Sequence, residues 1–250
     1  MAEFRVNING IEVNAKYEDR NIQDIFVPLL HDLTALYKRN NRRILVFLAA
    51  PPGAGKSTLA EFLAKMSLEL PDVEEIQAIG MDGFHRRQEY LLTHTTIRDG
   101  KEIRMVNVKG SPETFDLEKL QDSIIKISSR TAYGWPIYDR LLHNPVEDAI
   151  TIEKNIILLE GNYLLLDTDG WDRLASYADY TVMIMVPLSM IRKRLIDRRI
   201  ASGHSPETAD EFVDYSDMYN ARLCTDHSKK ADLTLHLNTN GSFSKDTQEI

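Results

Sequence analysis

Short apolar runs alternate with helical patterns along most of the chain. Residues 44–48 form a continuous apolar run, which is typical of a strand buried on both faces of a parallel sheet. A helical pattern follows over residues 58–70. Four more strands are predicted further along, at residues 75–81, 155–159, 180–186 and 232–237. Because strands that alternate with helices form βαβ units, we predict an α/β fold with a mainly parallel sheet flanked by helices.

The first forty residues follow a different pattern. Apolar and polar positions alternate over residues 4–17 on either side of Asn9-Gly10, and this pair favours a hairpin because both positions of a type I′ turn take positive φ. An apolar stripe over residues 22–37 then predicts a helix, in which Pro28 would either produce a kink or shift the start. We therefore predict an appended hairpin and helix at residues 1–40 and a main domain at residues 41–250.

Two polar segments have no clear assignment. Residues 89–114 could form a lid or a substrate loop, and the tail at residues 238–250 is predicted to be frayed. No apolar run approaches the roughly 20 residues that a membrane helix needs, and the first residues lack the apolar segment of a secretory signal. We therefore expect no membrane partner.

Charge and cysteine content restrict the partners and the compartment. The formal net charge is −8, and an acidic chain is repelled by the phosphate backbone, so we expect no nucleic-acid partner. Cys224 is the single cysteine and cannot form an intrachain disulfide, which favours a reducing, cytoplasmic location. No nucleophile motif surrounds it, and the seven histidines show no metal-ligand spacing.

A phosphate-binding loop follows the first buried strand. Residues 50–57 read Ala-Pro-Pro-Gly-Ala-Gly-Lys-Ser and match G-x-x-x-x-G-K-[ST] except at Ala50. If that first position needed positive φ, alanine would cost about 1 kcal/mol. Backbone N–H groups of such loops face phosphate oxygens, the lysine neutralises the β- and γ-oxygens, and the hydroxyl binds Mg²⁺. We predict a P-loop NTPase-type fold that binds ATP through Pro52, Gly53, Ala54, Gly55, Lys56, Ser57 and Thr58.

Two carboxylates end strands that neighbour this loop. Asp82 follows the strand at residues 75–81, and Glu160 directly follows four apolar residues. Ligands of doubly wound sheets bind at the carboxyl ends of the strands, so both groups are candidates for the phosphoryl-transfer site. We predict that Asp82 is the general base toward an acceptor hydroxyl, and that Glu160 and Ser57 bind Mg²⁺. The alternatives are a helix cap for Asp82 and a surface position for Glu160.

Several motifs in order resemble the superfamily of phosphoribulokinases, uridine kinases and bacterial pantothenate kinases. Beyond the phosphate loop they are Asp82-Gly83-Phe84-His85, Lys109-Gly110-Ser111-Pro112-Glu113-Thr114-Phe115-Asp116, Pro136-Ile137-Tyr138-Asp139-Arg140, Glu160-Gly161-Asn162-Tyr163 and the arginine-rich segment after Pro187. The resemblance implies a kinase that uses ATP and Mg²⁺, with Asp82 as the base and Glu160 at the metal. It also implies a small hydroxylated acceptor and a possible homodimer.

The arginine-rich segment resembles the lid of that superfamily, at about residues 188–205. Arg194 and Arg198 are i, i+4 neighbours on one helix face, and Ile191 and Leu195 form a packing stripe with the same spacing. We predict that Arg194 and Arg198, together with Lys56, stabilise the transferred phosphoryl group. Arg192 and Arg199 remain alternatives, as does a solvated basic helix.

Five polar residues are predicted to bind the acceptor: His85, Lys109, Tyr138, Arg140 and His143. Uridine kinases usually have an aromatic residue at the position of Arg140, and an arginine suits an anionic group instead. Tyr138 could equally be a core residue, His143 could be a surface residue, and Trp135 is expected to be buried. The predicted function is ATP-dependent transfer to a hydroxyl of a nucleoside, sugar or sugar phosphate. The alternatives are a pantothenate kinase-like activity and a nucleotide-dependent regulatory module.

Overall fold

A six-stranded sheet forms the centre of the computed structural model, which describes residues 2–8, 11–129, 132–168 and 170–246. The strands are β1 Ala2–Ile8, β2 Ile11–Tyr17, β3 Ile44–Ala49, β4 Ile76–Gly80, β5 Thr95–Arg98, β6 Lys101–Arg104, β7 Gly134–Asp139, β8 Asn144–Thr151, β9 Ile156–Gly161, β10 Tyr180–Met185, β11 Leu233–Leu237 and β12 Phe243–Lys245. The central sheet has the order β12-β11-β10-β3-β9-β4, and β12 alone of these strands is antiparallel to its neighbour. The predicted α/β fold with a mainly parallel sheet is confirmed.

Helices cover both faces of this sheet. They are α1 Asp19–Asn21, α2 Val27–Asn40, α3 Lys56–Glu69, α4 Gln88–Thr93, α5 Leu117–Ser128, α6 Leu188–Ala201, α7 Pro206–Phe212 and α8 Met218–Asp226. Every residue of β3 is buried, and its side chains alternate between two cores. Ile44, Val46 and Leu48 pack with α2, α3 and α6, whereas Leu45, Phe47 and Ala49 pack on the side of α5. The continuous apolar run therefore serves both faces, as expected for a central parallel strand.

The N-terminal hairpin packs against the helix that follows the phosphate loop. β1 and β2 pair in antiparallel register, which confirms the hairpin; the Asn9-Gly10 turn lies outside the described residues. The Tyr17 ring stacks on Phe62 of α3 with 4.2 Å between centroids, and Phe4 meets the same ring edge-on at 5.3 Å. The hairpin thus shares a core with the sheet, and the division at residue 40 stays a prediction.

The helix after the hairpin begins earlier than predicted. Helical backbone starts at Asp19, continues as a π-helical stretch over Ile22–Phe26, and becomes α2 at Val27. Pro28 is the second residue of α2, two residues after the π-helical stretch ends. Of the two predicted effects of this proline, a shifted start of the regular helix is the one observed.

The tail is not frayed at β12, and that prediction was wrong for residues 243–245. The buried Asn21 amide donates to the Phe243 carbonyl at 2.7 Å, and its carbonyl oxygen accepts from the Phe243 N–H at 3.0 Å. The Phe243 ring lies edge-on against Phe26, with centroids 5.5 Å apart. The polar composition of residues 238–250 therefore gave no indication of β12. Phe243 is the apolar residue of this strand, and the Asn21 amide makes hydrogen bonds of the kind that a neighbouring strand would make. Residues 247–250 lie outside the described part of the chain.

Two hairpins stand beside the sheet. The unassigned segment at residues 89–114 contains the β5–β6 hairpin, and β7 and β8 form a second one. Trp135 on β7 is fully buried, as expected, and its indole N–H donates to the Gly80 carbonyl at 2.8 Å. This contact fixes β7 against the end of β4. Within the described residues, no helix has both the length and the apolar character that a membrane span requires.

Candidate active site

The carboxyl ends of β3, β9 and β4 bring the phosphate loop and the two predicted carboxylates to one edge of the sheet. In the parallel register Ala49 pairs with Gly161, and Gly80 pairs with Glu160. The phosphate loop follows β3, Glu160 lies near the end of β9, and Asp82 lies two residues beyond β4, in a 3₁₀ turn over Met81–Phe84. Sequence positions far apart thus converge because adjacent parallel strands end together.

The phosphate loop has the backbone that its glycines permit. Gly53 and Gly55 have φ of 77° and 91°, values that side-chain-bearing residues rarely adopt. Ala50 is buried and is not among the positive-φ residues, so the strain considered for this alanine does not arise. A Cβ at Gly53 would lie 3.1 Å from Cγ of Leu195 on α6. Gly53 therefore serves both the loop conformation and the close approach of α6.

Ser57 and Glu160 form the oxygen pair of the predicted Mg²⁺ site. The Ser57 hydroxyl donates to Glu160 Oε1 at 2.7 Å, and Lys56 Nζ lies 3.9 Å from Glu160 Oε2. Burial raises the pKa of the Glu160 carboxyl, a rise that Lys56 opposes and the Asp82 charge reinforces. The described residues hold no group of three or more His, Cys, Asp or Glu placed to bind a metal. Hard oxygen ligands in small number suit Mg²⁺, which keeps several waters and substrate phosphates as ligands.

Asp82 lies at the centre of a group of potentially cationic side chains. Burial raises the pKa of the Asp82 carboxyl, but the neighbouring charges outweigh it, and the pKa lies below its ordinary value. The groups responsible are His85, Lys56, Arg140 and Arg198. The backbone around Asp82 is closely confined, because a Cβ at Gly83 would lie 2.1 Å from the Pro136 carbonyl oxygen. The predicted base is therefore ionised at neutral pH and held firmly.

His85, Tyr138 and Lys109 form one side of the site. The His85 ring stacks on Phe115 at 3.9 Å and meets Tyr138 edge-on at 5.2 Å. Burial lowers the pKa of His85 to about 4, so its ring is neutral at physiological pH. The buried Nδ1 of this ring has no hydrogen-bond partner among the described residues. One ring nitrogen thus remains available to a ligand.

The Lys109 ammonium lies over Tyr138, 4.9 Å from the ring centroid. It donates to Gln88 Oε1 at 2.7 Å and to the His143 carbonyl at 3.3 Å. Burial lowers the pKa of Lys109 to about 8 and raises the pKa of Tyr138 to about 12. Tyr138 is buried, yet it also lines the site, so the two roles predicted as alternatives coincide.

Arg140 and His143 end up in different surroundings. Arg140 is close enough to Asp82 for its charge to lower the carboxyl pKa, and its buried Nε has no hydrogen-bond partner among the described residues. His143 lies in the β7–β8 turn with φ of 52° and an exposed side chain. Its carbonyl, which accepts from Lys109, is the part of this residue that contacts the site.

The arginines of α6 divide into separate roles. Ile191 and Leu195 are fully buried, which confirms the packing stripe. Arg194 donates to the carbonyls of Gly53 and Ala54 at 3.3 and 3.2 Å, whereas the charge of Arg198 reaches Asp82.

The two alternative arginines are engaged elsewhere in the structure. Arg192 pairs with Asp210 and Asp214, and Arg199 pairs with Asp217. Arg194 and Arg198 are therefore the members of this set that act on the phosphate loop and on Asp82.

A cavity of about 100 Å³ connects the side of the site that holds Ser57 and Glu160 with the side that holds Tyr138. Ser57, Glu160, Asp82 and Tyr138 line it, together with groups that the sequence analysis did not single out. They include Glu61, Ile150 and, from the N-terminal hairpin, Asn7 and Ile8. Burial raises the pKa of Glu61. Its i, i+4 spacing from Ser57 on α3 was a signal that could have identified it.

The chain resembles known proteins along most of its length. The model of the Phosphoribulokinase / Uridine kinase family matches residues 45–236. The uncharacterized protein YggC of Escherichia coli (strain K12) is 36% identical over 242 residues, which cover 96% of this chain and 98% of YggC. A Schizosaccharomyces pombe protein provisionally named a uridine kinase is 34% identical over 204 residues, covering 79% of this chain and 84% of its own.

A solved structure agrees with these relatives. The crystal structure of a Silicibacter sp. TM1040 protein, provisionally described as a fructose transport system kinase, superposes with a TM-score of 0.69 at 30% sequence identity. The match covers 81% of this chain and 98% of that one.

Proposed function

Because the chain belongs to the phosphoribulokinase/uridine kinase family of P-loop kinases, we propose that it transfers the γ-phosphoryl group of ATP to a hydroxyl of a small-molecule acceptor. One observation carries this proposal: Asp82 lines a single cavity with Ser57 and Glu160 on the phosphate side and with Tyr138 on the other. A base between a phosphate-binding loop and an acceptor pocket is the arrangement that phosphoryl transfer to a hydroxyl needs.

The phosphate loop and its neighbours bind the nucleotide in this proposal. Backbone N–H groups of the phosphate loop hold the phosphates, and Lys56 neutralises their oxygens. Ser57 and Glu160 would hold Mg²⁺, which when bound neutralises charge on the β- and γ-phosphates. The 2.7 Å hydrogen bond between these two side chains holds their oxygens together before any metal binds.

Asp82 accepts the proton of the attacking hydroxyl. Its low pKa makes it a weak base, which suits a loose transition state in which the proton moves late. The neutral His85 ring can orient the acceptor without adding a competing positive charge beside the carboxylate. Arg140 was predicted to bind an anionic group of the acceptor, and because its charge acts on Asp82, such a group would lie close to the reacting hydroxyl.

The acceptor belongs to one of the predicted classes: a nucleoside, a sugar or a sugar phosphate, with a pantothenate-like acid as the alternative. The names of two relatives refer to uridine and to fructose transport, which supports a hydroxylated acceptor without selecting one. A homodimer and a cytoplasmic location stay predictions.

An ADP-release screen tests the proposal. Mg-ATP is supplied with nucleosides, pentoses, hexoses, their monophosphates and pantothenate, and Lys56→Ala is the blank. We expect one acceptor class to stimulate ADP release, and we expect the stimulation to fall by about 10³-fold or more in Lys56→Ala because the γ-oxygens lose their nearest cation. No stimulation by any acceptor, together with stimulation by a partner protein, would instead support the regulatory module.

The pH dependence of acceptor binding follows from Lys109. Its ammonium is charged below pH of about 8 and loses its proton above that value. An acceptor bound through an anionic group should therefore show a KM that rises as pH increases through about 8. His85 and Tyr138, with pKa values of about 4 and about 12, do not titrate in this range.

Lys109→Arg is the control for this pH effect, since a guanidinium keeps its charge. A steady KM across the same range is expected in that variant. A rise of KM near pH 8 that persists in Lys109→Arg would exclude Lys109 as its cause.

A further inference from the structure

Buried polar atoms without a hydrogen-bond partner occur in two places in the described part of the chain. His85 and Arg140 belong to the active site. The remaining atoms belong to a second group, which we call the Arg98 cluster and which consists of Arg98, Ser111, Asn162, Ser216 and Asn220. Such atoms are uncommon in folded proteins because removing water from a polar atom without replacing its hydrogen bond is unfavourable, so a cluster of them needs an explanation.

Arg98, at the end of β5, carries the charge of this cluster. It is 7% exposed, and neither Nη1 nor Nη2 has a hydrogen-bond partner among the residues that the structure describes. The nearest carboxylate is that of Glu113, 4.0 Å from Nη2, which is beyond hydrogen-bond distance. The guanidinium lies 4.2 Å from the Tyr219 ring centroid. Tyr219 is 44% exposed, so the charge lies just beneath the surface.

The other members offer both donors and acceptors. The hydroxyls of Ser111 and Ser216 are fully buried, and the Oδ1 atoms of Asn162 and Asn220 accept no hydrogen bond within the described part of the chain. A Cβ placed on Gly110 would lie 3.8 Å from Nδ2 of Asn220, so the Asn220 amide faces this glycine. The Tyr163 hydroxyl donates to the Gly110 carbonyl at 2.6 Å. Because Tyr163 directly follows Asn162, this bond holds Gly110 close to Asn162.

The Arg98 cluster lies next to the catalytic centre. The charge of Arg198 acts on Asp82 and also on Asp217, the residue directly after Ser216. Asp217 itself is paired with Arg199 at 3.0 Å and does not compensate Arg98. Burial raises the pKa of the Tyr163 hydroxyl, on which the charges of Glu113 and Arg98 also act. Ser111 lies two residues after Lys109, and Asn162 lies two residues after Glu160, so the cluster is joined through short backbone segments to both sides of the site around Asp82.

We propose that the Arg98 cluster binds the end of the acceptor that lies away from the reacting hydroxyl, and that this end carries a carboxylate or phosphate group next to further hydroxyl or amide groups. The proposal rests on the kinase function proposed above. An anionic group satisfies the guanidinium and the serine hydroxyls. The two asparagine carbonyls need donors as well, which a hydroxyl or an amide supplies and a bare inorganic anion does not.

Equilibrium binding without ATP tests the cluster separately from catalysis. Isothermal titration calorimetry compares two matched pairs: ribose 5-phosphate against ribose, and pantothenate against its alcohol, pantothenol. Wild-type protein is expected to prefer the charged member of at least one pair, and which pair responds distinguishes phosphate from carboxylate. Arg98→Met should weaken binding of that charged member by about 10- to 100-fold and leave the uncharged member unchanged.

Two further variants make the result decisive. Arg104→Met removes an exposed arginine of the same hairpin and should bind like wild type. Asn220→Asp preserves shape but adds a negative charge, so it should weaken binding of the charged member even if Arg98→Met fails to fold, which thermal unfolding would show. A wild-type protein that binds neither charged compound, or has no preference for it, overturns the proposal.

A preference that survives Arg98→Met or Asn220→Asp in folded protein overturns it as well. If no acceptor stimulates ADP release but the preference for the charged compound still depends on Arg98, the proposed kinase function is wrong and the proposed binding site stands. If phosphoryl transfer occurs with no dependence on Arg98, the function remains and the site is wrong.

Discussion

Replacement of Asp82 by asparagine is expected to lower kcat by about 10²–10⁴-fold while ATP binding remains intact. Asparagine has nearly the shape of aspartate, so the closely confined turn around Gly83 should be kept. It cannot accept the proton of an acceptor hydroxyl, and it removes the negative charge that the surrounding cations face. The loss should therefore appear in the transfer step.

Acceptor-dependent kinetics and ATP calorimetry on the same preparation separate these effects. Asp99→Asn is a matched control, because Asp99 lies exposed in the β5–β6 turn with φ of 52°, a backbone conformation that asparagine also tolerates. It should behave like wild type. Full transfer by Asp82→Asn would show that Asp82 is not the base. A loss of ATP binding would show that Asp82 acts on the nucleotide instead.

Replacement of Arg198 by methionine is expected to cost the most, about 10³–10⁵-fold in kcat, if its guanidinium stabilises the charge of the transferred phosphoryl group. The charge of Arg198 reaches Asp82, and that position is the one from which an arginine of α6 can act on the reaction. Methionine keeps the length of the aliphatic stem, so packing on α6 should change little.

Arg194→Met provides the comparison within the same helix. Arg194 donates to the Gly53 and Ala54 carbonyls, so its loss should loosen the phosphate loop and raise the KM for ATP more than it lowers kcat. Steady-state kinetics should therefore show mainly a lower kcat in Arg198→Met and mainly a higher KM for ATP in Arg194→Met. Equal losses of kcat in both would contradict the division of roles along α6.

The five parallel strands of the central sheet could be predicted from their apolar residues, most clearly β3 and β9. β3 and β9 are buried at every position, so periodicity and length sufficed. The carboxylates Asp82 and Glu160 could be predicted for a related reason. Each closely follows such a run, and parallel strands that are neighbours in the sheet end at the same edge.

The parts that could not be predicted depend on long-range contacts. β12 exists because Asn21, far away in sequence, supplies both hydrogen bonds to Phe243. The β5–β6 hairpin is mostly polar and partly exposed, so its pattern resembles that of a loop. Arg194 and Arg198 act on different groups because different residues pack beside each of them. Their i, i+4 spacing indicated only that they share one face of α6.

The fate of the γ-phosphoryl group distinguishes transfer to an acceptor from hydrolysis of ATP. ATP with γ-phosphoryl oxygens labelled by a heavy isotope is incubated with Mg²⁺, the protein and the acceptor found in the screen, and the products are analysed by mass spectrometry. We expect a phosphorylated acceptor that carries the labelled oxygens on a phosphorus bonded to the acceptor's own unlabelled hydroxyl oxygen, and we expect Lys56→Ala to form none within the detection limit. Label found only in inorganic phosphate, with the acceptor unchanged, would contradict the proposed transfer.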